Sequence, residues 1–387
     1  MSEFQCYKFM TIDRPLSDSE RREVDGLSSH GQVSSTSATF TYQYGSFKHK
    51  PETVLEKYFD AMLYYSNWGT RRLMFRLPAD LVDKNAISAY LYGGYYGSNE
   101  ISLSRHGNYF LLDISFDDEE GGGWMEEDDY DLGDLTPLRD DILNGDYRAL
   151  YLAWVSFAQH EGRYEKDDFE EEDEEDEEGQ NGQPPPVPPN MKRMSAALKA
   201  FTRFFEIDDD LVSAAQALSP DLAAASLEYE KLLAQLPEKE RIDWLARLLK
   251  SEPRLDVQLR KRLELFAPKG TAPKPVQTTT SELKSLTAQK GQERKEREAA
   301  EAKERHVQRM KQLAPQEQAL WKSVPFNLER QTEKSYDLAT EALKDLRDLA
   351  EYQGKMEAFG ERILELRKEY ARRTALIARW EKAGLFK

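Results

Sequence analysis

Apolar positions alternate along the first third of the chain and recur at three- and four-residue spacing along the rest. Ser34 to Tyr44 sets Ala38, Phe40, Tyr42 and Tyr44 on one face, the period of a half-buried strand. Tyr7 to Ile12 is a short apolar run ended by Pro15. Ser17 with Glu20 three residues on is a capping box, opening a helix over Glu20 to Leu27. Pro51 suits a first helical turn, and Val54, Leu55, Tyr58, Phe59, Met62 and Leu63 follow at helical spacing. Arg72 to Leu77 reads as a strand stopped by Pro78. Glu100 to Leu103 and Tyr109 to Phe116 read as a hairpin around Arg105-His106-Gly107-Asn108. Asp140 to Ala158 reads as a helix broken near Asn144-Gly145. These elements predict an α+β domain over residues 1–160, followed by mostly α-helical modules.

Residues 161–190 read as a disordered linker. An acidic run cannot bury surface and repels itself, and Pro184-Pro185-Pro186-Val187-Pro188-Pro189 favours stiff polyproline II. Residues 191–268 read as a helical module. Pro220 starts one helix (Leu222, Leu227, Leu232, Leu233, Leu236), and Pro237 starts the next (Ile242, Leu245, Leu248, Leu249). A third carries Leu255, Leu259, Leu263 and Phe266. A second linker, 269–281, holds Pro273 and Pro275. Thr279 with Glu282 caps the tail, 282–387. Glu293 to Arg309 is almost wholly polar, with Glu-to-Arg pairs at i,i+4, so it reads as a solvated or partner-dependent helix. Pro315 and Pro325 are expected to break the path. Tyr336, Ala339, Leu343, Leu346 and Ala350, then Met356, Phe359, Ile363, Leu366 and Tyr370, form two narrow seams separated by Gly354, the pattern of an αα-hairpin or coiled coil.

Charge changes this picture in one respect. The 387 residues carry a net −17, which counts against general nucleic-acid or anionic-membrane binding. Glu165 to Glu178 holds twelve acids and one lysine, a local −11, leaving an ordinary −6 elsewhere. That run reads as a solvated spacer, with docking on a basic partner or on the chain's own tail as the alternative. Ser281 to Lys387 has 23 bases against 19 acids, a net of +4. Cys6 is the single cysteine, so no internal disulfide or Cys-based zinc site can form, and a reducing, cytoplasmic setting is expected. No signal peptide or membrane-spanning run is evident.

Candidate chemistry is sparse. No two of His30, His49, His106, His160 and His306 stand at i,i+3 or i,i+4, so no helical metal pair exists. Gly121-Gly122-Gly123 is followed by Trp124 and acids rather than the Lys and Ser/Thr of a phosphate loop, and Gly93-Gly94-Tyr95-Tyr96-Gly97 lacks dinucleotide spacing. Asp117 to Glu120 and Glu126 to Asp131 offer oxygen ligands without EF-hand spacing. Cys6 reads as a small buried hydrophobe rather than a nucleophile. No catalytic residue, cofactor or metal is expected. The densest signal is Tyr58, Phe59, Tyr64, Tyr65 and Trp68 followed by Arg71 and Arg72. Trp68 is read at a helix-to-strand junction, where an exposed Trp beside Arg anchors interfaces.

The stretch from Tyr336-Asp337-Leu338-Ala339 through Lys344-Asp345-Leu346-Arg347-Asp348-Leu349, Phe359, Leu364-Glu365-Leu366-Arg367 and Arg372-Arg373 to Ala383-Gly384-Leu385 resembles the helical C-terminal tail of bacterial SWIM zinc-finger proteins. The resemblance spans some fifty residues and implies a TPR-like hairpin that docks on a partner. The family's CxC…CxH signature is absent, so zinc binding is not implied. Tyr42 to Pro78 also resembles a bacterial family that brings no function with it.

The sequence thus favours a cytosolic adaptor or scaffold of a multiprotein system. It would bind protein through its helical C-terminal region, alone or as a homo-oligomer. Its interaction candidates are Trp68, Arg71, Arg72, Tyr336, Leu343, Leu346, Met356, Phe359, Ile363, Leu366 and Tyr370. The alternatives are an enzyme with its site near Arg71, Arg72, His106 and Asp113, and a nucleic-acid-associated regulator using the Lys/Arg of 284–311.

Overall fold

Strand periodicity in the first third resolves as one fully antiparallel sheet. A computed structural model describes residues 3–94, 99–118, 125–168, 183–222, 229–266 and 276–386, with backbone alone at 162–168 and 264. The chain forms two compact units, Met1–Gly291 and Gln292–Lys387.

The first unit opens with β1 (Gln5–Met10), α1 (Asp18–Asp25), β2 (Gly31–Val33), β3 (Ser37–Tyr42), α2 (Pro51–Tyr58), β4 (Ala61–Ser66) and β5 (Arg71–Pro78). It continues with α3 (Lys84–Ser88), β6 (Tyr92–Gly93), β7 (Glu100–His106) and β8 (Tyr109–Phe116). The sheet order is β2-β3-β1-β4-β5-β8-β7-β6. The capping box of Ser17 and Glu20 is present and starts α1. The predicted Pro51 helix stops at Tyr58, so Met62 and Leu63 lie on β4 instead. The run Tyr58-Phe59 followed by Met62-Leu63 satisfies helical and strand periods alike, and pairing of β4 between β1 and β5 decides for the strand. Trp68 consequently sits in a β4–β5 hairpin turn, not at a helix-to-strand junction.

The two sheet faces bury different partners. Cys6, Leu63, Tyr65, Leu73, Phe75, Leu112 and Ile114 face a helical layer. That layer comprises α4 (Leu132–Leu135), α5 (Pro137–Leu143), α6 (Arg148–Asp168), α7 (Ala196–Phe204) and α8 (Asp209–Leu218). Phe9, Phe40, Met62 and Met74 face the opposite way, against Val24 of α1 and Val54 and Leu55 of α2.

The proline run is part of this core. Pro184, Pro185, Val187 and Pro188 are buried. Tyr90 donates its hydroxyl to the Pro186 carbonyl at 3.0 Å, Ser219 donates to that of Pro188 at 2.7 Å, and Val187 bridges Val276. The expected free linker at 161–190 therefore holds a docked segment at 183–190. Of the acidic run, Glu165 to Asp168 end α6, and Phe169 to Glu178 lie outside the described residues. Likewise α7 and α8, expected in a separate helical module, contribute Phe201, Phe204 and Leu211 to the sheet's core. Helical periodicity identifies an apolar face but not what it meets.

After α8 come α9 (Tyr229–Gln235), α10 (Glu238–Leu249) and α11 (Leu255–Glu264). They share a small cluster of Leu232, Leu236 and Leu263, with Trp244 partly buried against it. α12 (Thr280–Leu313) begins in the first unit, where Leu283 joins the main core, and starts with the expected reciprocal bonds between Thr279 and Glu282.

In the second unit, α12 is exposed along most of Gln292 to Arg309, as its polar sequence requires. Then follow α13 (Glu317–Glu329), α14 (Glu333–Gln353), α15 (Met356–Glu369) and α16 (Thr374–Lys382). Pro325 lies inside α13 rather than breaking it. It removes one backbone donor, and burial of Trp321, Val324 and Leu328 on either side holds the helix together. Gly354 ends α14 in the left-handed region at φ 69, as a C-terminal glycine should. One cluster unites Trp321, Val324, Leu343, Leu346, Phe359, Ile363, Leu376 and Trp380. Among the described residues no helix is long and apolar enough to cross a membrane.

Candidate functional site

Two surfaces stand apart from ordinary packing, and both belong to the first unit. The first lies on the sheet face that α1 and α2 cover only in part. Register pairing sets Tyr7, Tyr64, Arg72, Ser115 and Glu100 side by side on five successive strands. They line a cleft of about 360 Å³ together with Pro51, Met62, Thr70 and Asp113. That volume falls at the lower end of small-ligand sites, which run from roughly 300 to 1,000 Å³.

Arg72 is the centre of its electrostatics. Its Nε donates to both Asp113 oxygens at 2.9 and 3.1 Å, and its Nη2 to Asp113 Oδ2 at 2.5 Å. Asp113 stands opposite Met74, diagonal to Arg72, which is within reach of a long side chain. Glu52 at the start of α2 lies 2.6 Å from the same Nη2. Burial works against the Arg72 cation, but Asp113 and Glu52 outweigh it and hold the guanidinium above its ordinary range. Burial would likewise raise Glu52; its own backbone N–H and Arg72 prevail and lower it. The Tyr7 and Tyr64 rings lie 4.5 Å apart, and both hydroxyls turn to Gln5 Oε1, at 3.0 and 3.4 Å. Burial pushes both phenols up, Tyr64 the further, with Tyr7 and Asp117 adding to its shift.

The second surface is one face of α10. Ile242, Leu245, Leu248 and Leu249 recur along it and are 59%, 61%, 61% and 88% exposed. No residue of α10 is buried. Four aliphatic side chains side by side on one helix are not the scattered apolar exposure of an ordinary surface. Lys239 and Lys250 border the stripe, Arg241 stands within it, and none of the three makes an ion pair among the described residues.

The interaction candidates read from sequence distribute differently. Trp68 is 40% exposed in its turn. Arg71 and Arg72, adjacent on β5, point to opposite sheet faces: Arg71 is fully buried and meets Glu206, while Arg72 lines the cleft. The three do not form one patch. Leu343, Leu346, Phe359, Ile363 and Tyr370 are buried within the second unit, Tyr336 and Leu366 pack against them, and Met356 is 44% exposed. Both seams thus close within the chain, with α13 as a third partner that the proline-based reading had set apart.

The constellation Arg71, Arg72, His106 and Asp113 is only half assembled. Arg72 and Asp113 meet, Arg71 is on the other face, and His106 lies against Glu56 at 3.4 Å and Ser104 at 3.1 Å. Cys6 is buried, its thiol pushed up by burial, and its hydrogen-bonding neighbours are Thr41 and Tyr65. Asp129 and Asp131 bond the backbone N–H groups of Glu126 and Gly133, so this acidic loop builds a turn and a helix cap. Gly121 to Trp124, Tyr95 to Gly97, Glu119 and Glu120 lie outside the described residues. Among those described, no group of three or more His, Cys, Asp or Glu could hold a metal.

The polar row of the cleft was not read from sequence. Each member was visible as a polar or amphipathic position in a strand, but register across five strands depends on an order, β1-β4-β5-β8-β7, that is not the chain order. No family model, curated protein or solved structure matches this chain.

Proposed function

We propose that this chain works by binding another protein, and that α10 is its contact. The observation behind this reading is the exposed row Ile242, Leu245, Leu248 and Leu249. Removing such side chains from water contributes about 1.5–3 kcal/mol each, enough for a helix-in-groove or helix-on-helix contact once ordering costs are met. The bases that border the row fit a partner helix with an apolar stripe and acidic flanks. Cytosolic action accords with the single, buried, reduced cysteine. The tail enters this proposal as a self-closed helical cluster rather than as an open seam.

Two designed amphipathic peptides of identical apolar stripe, one with acidic and one with basic flanks, test it by fluorescence anisotropy against the full chain. Acidic-flanked peptide should bind at least tenfold tighter than the basic one, and Leu245→Ser with Leu249→Ser, which removes the apolar contact without adding charge, should weaken it at least tenfold while leaving the melting temperature unchanged. Equal binding of both peptides, or none, overturns the reading. So does concentration-dependent dimerisation lost in the double variant, which would assign the stripe to a second copy.

A further inference from the structure

The sheet has an edge that its own chain leaves open. β6 pairs with β7 only through Tyr92 with Ile101 and Gly93 with Glu100. Ahead of β6 the chain turns instead of continuing that ladder: the Tyr90 N–H donates to the Ile87 carbonyl at 2.8 Å and the Leu91 N–H to that of Ser88 at 3.5 Å. β7 runs on to His106, so Ser102 to His106 have β8 on one side and, among the described residues, no strand on the other. The opposite edge is closed further: β2 pairs with Ala38 to Phe40, and the Ser34 N–H donates to the Ser37 carbonyl at 2.8 Å.

The ladder fixes where the free groups point. His106 and Tyr109 close a two-residue turn at Gly107-Asn108, so their backbone groups face each other, and the direction alternates back along β7. The Asn99 carbonyl accepts from the Gly94 N–H on the outer side, which sets the same phase. The N–H and C=O of Leu103 and Arg105 therefore point outward, and no partner takes them among the described residues. Leu103 packs partly on the helical side of the sheet, and Arg105, on the same side, is exposed. The Arg105 guanidinium makes no ion pair among the described residues; its Nε donates to the Gly107 carbonyl at 3.2 Å.

We propose that this edge takes an extended segment of another protein as an added antiparallel strand. Unpaired strand groups are satisfied by the backbone of a further strand, which gives affinity, while alternate side chains give specificity. The segment carries an acid opposite Arg105, a β-branched residue opposite Leu103 and a small polar residue opposite Ser104. A second copy of β7 fits less well. Pairing Leu103 with Arg105 of the copy sets both Arg105 side chains diagonally on one face, like charge beside like charge.

Fluorescence anisotropy of labelled acetyl-Thr-Glu-Thr-Val-Thr-amide on the full chain tests this, with its Glu and Val set opposite Arg105 and Leu103. Methylating the Glu and Val amide nitrogens, which face β7, should weaken binding at least about tenfold, whereas methylating the central Thr, which faces away, should change it less than about threefold. Lys in place of the peptide's Glu should weaken binding about two- to fivefold, and Arg105→Glu should reverse that preference. The Leu103 and Arg105 amides should exchange with deuterium more slowly when the peptide is bound. Leu245→Ser with Leu249→Ser should leave the affinity unchanged, which separates this edge from α10. No saturable binding, equal sensitivity to both methylation patterns, or unchanged exchange at Leu103 and Arg105 overturns the proposal. So does concentration-dependent self-association that slows the same two amides without peptide, which would assign the edge to a second copy.

Discussion

Arg139 lays Nη1 and Nη2 on the two oxygens of Asp13, each at 2.8 Å, and is itself completely buried. Its Nε donates to the Arg76 carbonyl at 2.8 Å, so all three nitrogens are occupied. Arg254, at the start of α11, reaches the same Asp13 at 2.5 Å and also meets Asp140. Asp60, 1% exposed, completes the group by accepting from Arg76 and from the backbone of Ile12 and Asp13. This network ties the β1 end, α5 and α11 together beneath the sheet. Removing one member leaves a buried charge uncompensated, so Arg139→Met should cost about 3–5 kcal/mol in urea unfolding. Arg254→Met, at the network's edge, should cost less than half of that. Equal costs would mean that α11 is held by this network as strongly as β1 is.

The same network sets a pH signature. Burial alone would raise Asp13, but Arg139 and Arg254 overcome it and hold its carboxyl below the ordinary value of about 3.9. A depressed folded-state value means that the contribution is complete above the unfolded value and is lost as pH falls through the folded one. Asp13→Asn should therefore be destabilising at pH 7, and the difference from wild type should shrink below about pH 4. Asp141 behaves oppositely: burial first, then Asp146, raises it. Asp141→Asn should stabilise at pH 7, with the gain vanishing as pH falls below about 3.9. Urea midpoints at pH 7, 5 and 3.5 check both signs.

Arg71 and Glu206 pose a different problem. Arg71 is fully buried, its Nε and Nη1 find no partner among the described residues, and its Nη2 meets Glu206, whose backbone sits at φ 49. The left-handed region costs a non-glycine residue roughly 1–2 kcal/mol. Glu206→Gly relieves that strain but strands the guanidinium, so it should still destabilise, as should Glu206→Gln. Arg71→Met removes the buried charge and two unmet donors, and should be neutral or stabilising. A loss of more than about 2 kcal/mol in Arg71→Met would show that the guanidinium has partners that these contacts do not include.

Gly69 takes a conformation no other residue suits. Its φ is 104, and a Cβ there would stand 2.0 Å from the Asp118 carbonyl oxygen. Gly69→Ala should cost more than about 2 kcal/mol, because strain and a backbone clash add. The emission of Trp68 should shift with it, since that indole sits in the same turn.

Strand and helix periods located most elements correctly where local chemistry agreed with them. Ser17 with Glu20, Thr279 with Glu282 and Gly354 each mark a real boundary. Misreadings arose where a tertiary neighbour decided. Met62 and Leu63 became strand because β1 and β5 flank them, and the proline run became core because Tyr90 and Ser219 hold its carbonyls. The cleft was illegible for a related reason. Tyr7 and Glu100 stand 93 residues apart in sequence and share a row only through three intervening strands.

The sharpest contrast is between two stripes that look alike in sequence. Ile242, Leu245, Leu248 and Leu249 on α10 fall on one helical face, as do Ala339, Leu343, Leu346 and Ala350 on α14. The second set is buried against α13, α15 and α16, while the first faces outward. Leu343→Ala should therefore cost about 2–5 kcal/mol, the range for a buried leucine, through lost transfer energy and the cavity left behind. Leu249→Ala, at 88% exposure, should stay within about 0.5 kcal/mol of wild type. Chemical unfolding of the two variants measures stability alone, and peptide binding to the same two proteins measures recognition alone. If α10 is a contact, the effects cross over: Leu343→Ala lowers stability and spares binding, whereas Leu249→Ala spares stability and weakens binding. A stability loss in Leu249→Ala comparable to that in Leu343→Ala would place the α10 stripe in a core and remove its role in recognition.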